Sequence, residues 1–210
     1  MIGLLVLAAV TASQGSVVPL TFPDEPGVKS VEVEWETKRV PGIRLRDQWV
    51  TVVGVDLDAR PGEHRADAVY TMQDGRVERR ETVINVVAGS FPTTELKVED
   101  RFVQLSPANL ARANREAKEI DTIYAAITNE ILWEQPFRVP IPGGAGSNFG
   151  HRRVFNGEPR APHAGADLRA KTGSPVYAAN RGRVVLAKNL FFTGNTVILD
   201  HGLGIYSLYA

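Results

Sequence analysis

Residues 173–209 read GSPVYAANRGRVVLAKNLFFTGNTVILDHGLGIYSLY, and this stretch decides the fold of the last third of the chain. It contains four short runs rich in β-branched and aromatic residues, separated by glycine turns, at residues 175–178, 182–187, 195–200 and 205–209. Short runs of this composition bounded by glycine are typical of β-strands. The stretch therefore predicts a small sheet of short strands.

A histidine and an aspartate precede this stretch, four residues apart in the segment His163-Ala-Gly-Ala-Asp167. In a fully extended strand four steps span about 13 Å, which is too far for two ligands of one ion. The segment must therefore bend if both residues bind one ion, and Gly165 permits the bend. Imidazole and carboxylate both suit Zn²⁺. Taken alone, the same spacing also fits a surface histidine beside a turn aspartate.

The composition excludes several classes of protein and site. The chain has 210 residues, of which 43% are hydrophobic and 23% charged, as in soluble globular proteins. Its formal net charge is zero, which argues against a dedicated nucleic-acid binder. Because cysteine is absent, disulfides, thiolate zinc sites and a cysteine nucleophile are excluded. Residues 141–210 carry eight cations against three anions, which indicates either two units with different partners or two solvated surfaces of opposite sign.

The first residues, MIGLLVLAAVTASQG, are apolar and then small and polar. This order predicts a signal peptide or apolar leader over residues 1–15, and the alternative is an apolar first strand. The apolar run is shorter than the roughly 20 residues that span a bilayer, and no other segment is apolar enough to cross one. We therefore expect a secreted or periplasmic protein.

Residues 16–90 have the pattern of an all-β module. Residues 31–35 alternate apolar and polar side chains, and residues 49–57 resemble a more buried strand. Residues 68–72 and 76–87 are β-rich and are joined through Gln73-Asp74-Gly75, a strong hairpin signal. Short strands at this spacing predict a small immunoglobulin-like β-sandwich.

Residues 91–140 are predicted to be a connector with one amphipathic helix. Residues 95–105 resemble a short strand, and Ser106-Pro107 then supplies a helix N-cap and first residue. An apolar stripe follows at three- and four-residue steps, which predicts core packing on one helix face. Its members are Leu110, Ala113, Ala117, Ile120, Tyr124, Ile127 and Ile131. Residues 133–146 are rich in proline and glycine and predict an irregular linker into the unit at residues 141–210.

The motifs of the last 65 residues occur in a distinctive order. They are a Ser-x-Phe-Gly-x-Arg piece, the His-x-Gly-x-Asp segment, a Gly-x-Pro-Val-x-Ala piece with a later Gly-x-Val, and a Gly-Asn-x-Val piece that leads to His-Gly-x-Gly and a tyrosine. The positions are Ser147, Phe149, Gly150, Arg152, His163, Gly165, Asp167, Gly173, Pro175, Val176, Ala178, Gly182, Val184, Gly194, Asn195, Val197, His201, Gly202, Gly204 and Tyr209. This order and spacing resemble the lysostaphin/LytM-type zinc metallopeptidases, which cut peptide cross-bridges in bacterial peptidoglycan.

The resemblance implies a mainly β protein whose residues 141–210 form part of a LytM-type antiparallel β-sheet domain, similar to a duplicated hybrid motif. It implies that His163 and Asp167 are zinc ligands and that peptidoglycan peptides are the substrate. His201 lies at the His-Gly turn, away from the family's ligand positions. The family's remaining ligand and catalytic histidines, in a Tyr-x-His-Leu and a His-x-His motif, have no counterpart in these 210 residues.

We therefore expect a C-terminally truncated fragment without catalytic residues. It would be inactive by itself but would come from a zinc metalloendopeptidase. The alternative is a non-catalytic LytM-like regulator that activates cell-wall hydrolases, and the presence of both His163 and Asp167 favours the enzyme. A purely structural β-sandwich module is the third possibility, and the His-x-Gly-x-Asp segment argues against it.

Overall fold

The computed structural model describes residues 9–97, 105–134, 136–143, 146 and 148–210. It separates into two compact units, Met1–Ser90 and Phe91–Ala210. Among the described residues, strands make up most of the regular secondary structure in each unit, so the predicted mainly β class is confirmed. The motif residue Ser147 and the leader residues 1–8 lie outside the described residues, and the signal peptide stays a prediction.

Two sheets build the first unit. Its strands are β1 (Val10–Ser13), β2 (Val17–Pro23), β3 (Val28–Trp35), β4 (Lys38–Pro41), β5 (Ile43–Leu45), β6 (Gln48–Gly54), β7 (Gly62–Met72), β8 (Val77–Arg80) and β9 (Val83–Val87). One sheet has the order β1-β9-β7-β3-β4, with β8 also pairing with β7, and the other has the order β2-β6-β5. The predicted strand at residues 31–35 lies within β3, and the run at residues 49–57 overlaps β6.

The two sheets share one hydrophobic core. Alternate residues of β2 are buried, as a strand with one face on a core requires. Its Val18, Leu20 and Phe22 belong to the same buried cluster as Val33 of β3. The indole N–H of Trp35 donates to the carbonyl of Gly54, at 2.9 Å, and so links β3 of one sheet to β6 of the other. The immunoglobulin-like arrangement of the two sheets stays a prediction.

The hairpin predicted at Asp74-Gly75 is present, because β7 and β8 pair antiparallel on either side of it. The run at residues 76–87 is not one strand, however. It breaks at residues 81–82, so that β8 pairs with residues 68–71 of the long strand β7 and β9 pairs with residues 62–65. Residues 10–13, at the end of the predicted leader, form strand β1 and pair in parallel with β9.

The second unit contains one helix among its described residues. Its elements are β10 (Thr93–Leu96), α1 (Pro107–Ala125), β11 (Arg152–Phe155), β12 (Glu158–Pro159), β13 (Arg183–Leu190), β14 (Gly194–Gly202) and β15 (Ile205–Tyr209). Of the strand-like run predicted at residues 95–105, only the beginning coincides with β10, and residues 98–104 lie outside the described residues. Helix α1 begins as predicted, because the Ser106 hydroxyl accepts a hydrogen bond from the Asn109 N–H at 3.3 Å.

The predicted apolar stripe of the helix is only partly buried. Ile120 and Tyr124 pack against the buried side chains of β13 and β14, and Ala113 is also buried. Leu110 is 49% exposed, and Ala117 is exposed too, so the prediction was wrong there. The first half of α1 also contacts the end of β13 and the β13–β14 connection through polar side chains. The Phe191 N–H, for example, donates to the Glu116 carboxylate at 2.7 Å.

The helix ends at Ala125, before the last two residues of the predicted stripe, because the sheet binds the backbone that follows. The N–H of Leu203 donates to the carbonyl of Thr128 at 2.8 Å, and the N–H of Leu132 donates to the carbonyl of His201 at 2.9 Å. The residues after the helix therefore run along the end of β14. The described residues between 133 and 146 contain no helix or strand, as predicted.

Strands β13, β14 and β15 form an antiparallel sheet, as the sequence of residues 182–209 predicts. The run at residues 175–178 is not a strand. The run and the residue after it are joined to the proline-containing segment 138–140 by two backbone hydrogen bonds, from the Tyr177 N–H to the Pro140 carbonyl and from the Arg138 N–H to the Ala179 carbonyl. Proline has no N–H to donate, so Pro140 and Pro175 limit a longer ladder here.

Candidate metal site

His163 and Asp167 lie in an irregular segment between β12 and β13, and the segment bends at Gly165. The bend brings Nε2 of His163 to 3.3 Å from Oδ1 of Asp167. The His163 side chain is 28% exposed and the Asp167 side chain 71% exposed. The bend predicted from the His-x-Gly-x-Asp spacing is therefore present, and it makes the two candidate ligand atoms neighbours.

The backbone of His163 is held on both sides by a turn formed by residues 148–151, which we call the 148–151 turn. The Gly150 N–H donates to the His163 carbonyl at 2.8 Å, and the His163 N–H donates to the His151 carbonyl at 3.0 Å. These bonds fix the peptide units on both sides of the His163 Cα. The position of the imidazole is therefore set by a segment more than ten residues earlier in the chain.

Asp167 is held by the first residue of the same turn. The side-chain N–H₂ of Asn148 donates to Oδ2 of Asp167, and the Asp167 N–H donates to the side-chain oxygen of Asn148 at 3.1 Å. The hydrogen bond from Asn148 holds the pKa of the Asp167 carboxyl below its usual value, with smaller contributions from His163 and Arg153. Asp167 is therefore an ionised carboxylate near neutral pH.

Other contacts fix the 148–151 turn to the rest of its unit. The Phe149 ring packs edge-on against Phe91, with ring centroids 6.2 Å apart. Nε2 of His151 lies 2.8 Å from the hydroxyl of Thr94 on β10, and β10 pairs in parallel with β11, which follows the turn. The turn is thus held by packing, by a side-chain hydrogen bond and by a strand pair.

The two candidate ligand atoms fit a zinc ion. In a tetrahedral site with metal–ligand distances of about 2.0–2.2 Å, neighbouring ligand atoms lie about 3.3–3.6 Å apart. The separation of Nε2 and Oδ1 matches this value. Nε2 of His163 is buried and makes no hydrogen bond of regular geometry among the described residues, although buried polar atoms are normally paired; its neighbour at 3.3 Å is Oδ1 of Asp167. A metal ion would satisfy this nitrogen.

The rest of the described chain adds no third ligand to this pair, because it contains no cluster of three His, Cys, Asp or Glu side chains that could hold a metal. His201 is fully buried, and its two ring nitrogens are both engaged. Nδ1 lies 2.7 Å from the Arg181 carbonyl and Nε2 lies 2.7 Å from the Ser207 hydroxyl. His201 thus has a structural environment, in agreement with its place at the His-Gly turn.

Sequence reasoning identified His163 and Asp167 but missed Asn148, the residue that holds Asp167. A signal was present, because Asn148 directly precedes the Phe149-Gly150 pair of the quoted motif. An asparagine before such a turn is a candidate for side-chain hydrogen bonding to nearby backbone. Its partner, however, lies 19 residues later in the chain, and the sequence gives no indication of that pairing.

Comparisons with known proteins agree on the last quarter of the chain. Residues 161–210 match the model of Peptidase family M23. Over 57 residues the chain is 42% identical to the peptidoglycan DD-endopeptidase ShyA of Vibrio cholerae serotype O1 (strain ATCC 39315 / El Tor Inaba N16961). That match covers 27% of this chain and only 13% of the length of ShyA. The resemblance of this segment to the LytM-type peptidases is confirmed.

The fold has a counterpart that extends over most of the chain. A crystal structure of a candidate peptidase M23 from Pseudomonas aeruginosa superposes with a TM-score of 0.66 and 22% sequence identity. The alignment covers 93% of this chain and 72% of that one, so the similarity in fold includes both units. Within the described part of the chain, no helix combines the length and hydropathy that crossing a membrane requires.

Proposed function

From the match of residues 161–210 to peptidase family M23, we propose that the second unit carries the metal-binding part of a zinc metalloendopeptidase that hydrolyses peptide cross-links of peptidoglycan. The observation that carries the proposal is the pair of His163 Nε2 and Asp167 Oδ1, which are 3.3 Å apart. Similarity to a peptidoglycan DD-endopeptidase supports the substrate class. Because peptidoglycan lies outside the cytoplasmic membrane, this substrate implies a periplasmic or secreted protein.

The described residues have definable tasks at such a site. His163 offers a buried nitrogen that makes no hydrogen bond of regular geometry in the described chain, and Asp167 offers an ionised oxygen, so together they would supply one imidazole and one carboxylate ligand. When bound, zinc supplies a Lewis acid and a water of lowered pKa. A catalytic zinc usually has three protein ligands and an open position. Zinc binding is therefore the decisive measurement on this chain.

The test is a calorimetric titration of the 210-residue chain with zinc, in which H163A and D167A are the site variants. We expect one zinc per chain and the loss of most of the affinity in each variant, because each removes one of two ligands. H64A is the matched control, since His64 lies on β7 of the first unit and its Nε2 contacts the Arg60 carbonyl. H64A should bind zinc like the parent chain.

Retained stoichiometry and affinity in both H163A and D167A would show that the ligand assignment is wrong. Hydrolysis is then assayed as new amino groups released from purified peptidoglycan, with and without zinc. A chain that binds peptidoglycan-hydrolysing enzymes but neither zinc nor peptidoglycan would instead support the regulator alternative.

A further inference from the structure

Asn148 is joined to Asp167 by two hydrogen bonds of opposite direction. Its amide N–H₂ donates to Oδ2 of the carboxylate, and its amide oxygen accepts from the Asp167 backbone N–H. We propose that Asn148 is the positioning residue of the metal site and that it orients the Asp167 carboxylate toward the ion. The inference rests on the proposed zinc site of His163 and Asp167.

The first bond decides which carboxylate oxygen faces the metal position. The two oxygens of a free carboxylate are equivalent, and a side chain that is 71% exposed can rotate and bind water. Asn148 occupies Oδ2, so Oδ1 is left beside Nε2 of His163. The donor is a neutral amide, so it fixes the carboxylate without a positive charge that would compete with the metal ion.

The second bond fixes the backbone position from which the Asp167 side chain extends. Because the Asp167 N–H donates to Asn148, the backbone of Asp167 is fixed to the 148–151 turn, as the backbone of His163 is. One turn therefore positions both candidate ligands, His163 through peptide groups and Asp167 through a side chain. Partners of metal ligands of this kind typically affect metal affinity by about 10–100-fold when they are mutated.

A competing explanation is that Asn148 only stabilises its own turn. Its backbone carbonyl accepts a hydrogen bond from the His151 N–H at 3.0 Å, and that bond does not involve the side chain. The two explanations differ in what N148A changes. If Asn148 only stabilises its turn, N148A lowers the folded fraction of the protein. If Asn148 positions Asp167, N148A changes the geometry of the metal–ligand bonds in protein that is still folded.

Cobalt(II) is the probe that separates the two roles, because its visible absorption bands report the geometry of its ligands. The intact 210-residue chain is titrated with Co²⁺, and bound Co²⁺ is then displaced by Zn²⁺ to give the zinc affinity. The variants are N148A, the ligand variant H163A, and N114A, a matched substitution at an exposed position of α1. Thermal unfolding in EDTA reports the stability of each metal-free protein.

We expect N148A to bind Zn²⁺ about 10–100-fold more weakly than the parent chain and to show altered Co²⁺ band positions at saturation. N114A should match the parent in both respects. An affinity of N148A within about twofold of the parent, while H163A loses binding, overturns the inference and leaves the zinc site intact. Weaker binding with unchanged band positions and a proportionate loss of metal-free stability also overturns it. Failure of the parent chain to bind either ion, or full binding by H163A, refutes the zinc site itself and the inference with it.

Discussion

Substitution of Gly150 by alanine should both destabilise the second unit and weaken zinc binding. Gly150 has a φ of +75°, and a Cβ built on it would lie 2.1 Å from Cδ1 of Phe91. A left-handed conformation costs an alanine about 1–2 kcal/mol. The Phe91 ring must also move away from Phe149, and an edge-on aromatic pair contributes about 0.5–1.5 kcal/mol. The expected loss of stability is therefore about 1.5–3.5 kcal/mol.

Gly157 is a matched control for the conformational part of this cost. Its φ is +83°, but a Cβ there would meet no atom within 4 Å. G157A should therefore cost only the conformational strain, about 1–2 kcal/mol. For a chain of this size, each kcal/mol corresponds to about 2–4 °C in the midpoint of thermal unfolding. G150A should also weaken zinc binding, because the Gly150 N–H holds the His163 carbonyl, whereas G157A should not.

The clash can be tested separately with F91A, which removes the ring that the new methyl group would meet. In the F91A background, G150A should cost no more than G157A costs in the parent chain. Thermal unfolding of the four proteins gives the coupling between the two positions. Equal losses from G150A and G157A in the parent chain, together with unchanged zinc affinity in both, would refute the packing argument and the assigned role of the turn.

Two further predictions concern charged groups. Hydrogen bonding to Arg80 holds the pKa of Glu25 below its ordinary value of 4.5. The stabilisation of the folded state by ionised Glu25 is therefore present above pH 4.5 and is lost as the pH falls through the lower folded value. The difference in unfolding midpoint between the parent and E25Q should shrink over that range, and a constant difference would contradict this. The Thr128 hydroxyl donates to the buried Asp200 carboxylate at 2.5 Å, so T128V should cost about 1–3 kcal/mol in chemical denaturation, whereas T122V, at an exposed helix position, should cost clearly less.

The strands could be predicted where one face of a strand meets a core, because burial imposes a period of two on the sequence. Residues 31–35 show this period, and every second residue of that part of β3 is buried. The hairpin at Asp74-Gly75 was also predictable, because its turn residues act locally. The division of residues 76–87 into β8 and β9 was not predictable, since it depends on the length of the partner strand β7.

The helix was also only partly predictable from the sequence. Its start follows from Ser106 and Pro107, which act within one turn. Its end and its buried face depend on contacts with residues about 60 to 80 positions away. Leu110 is exposed, whereas Ile120 and Tyr124 in the later turns pack on the buried side chains of the sheet. The helix stops at Ala125 because the residues after it bind β14 and the turn beyond it. Apolar periodicity alone carries no information about where the partner element ends.

The metal site combines a local and a distant determinant, and only the first can be found in the His-x-Gly-x-Asp motif. The motif supplies two ligands and a glycine at the bend, but a bend of this kind has many conformations in an isolated peptide. Here three hydrogen bonds tie its two ends to the 148–151 turn: from the Gly150 N–H, from the His163 N–H and from the Asp167 N–H. These bonds, rather than the motif, select the conformation in which Nε2 and Oδ1 lie 3.3 Å apart. The Phe-Gly piece of the sequence pattern is thus part of the same site as the His-x-Gly-x-Asp piece. Without the turn, metal binding itself would have to order the two ligands, and the metal affinity would be lower.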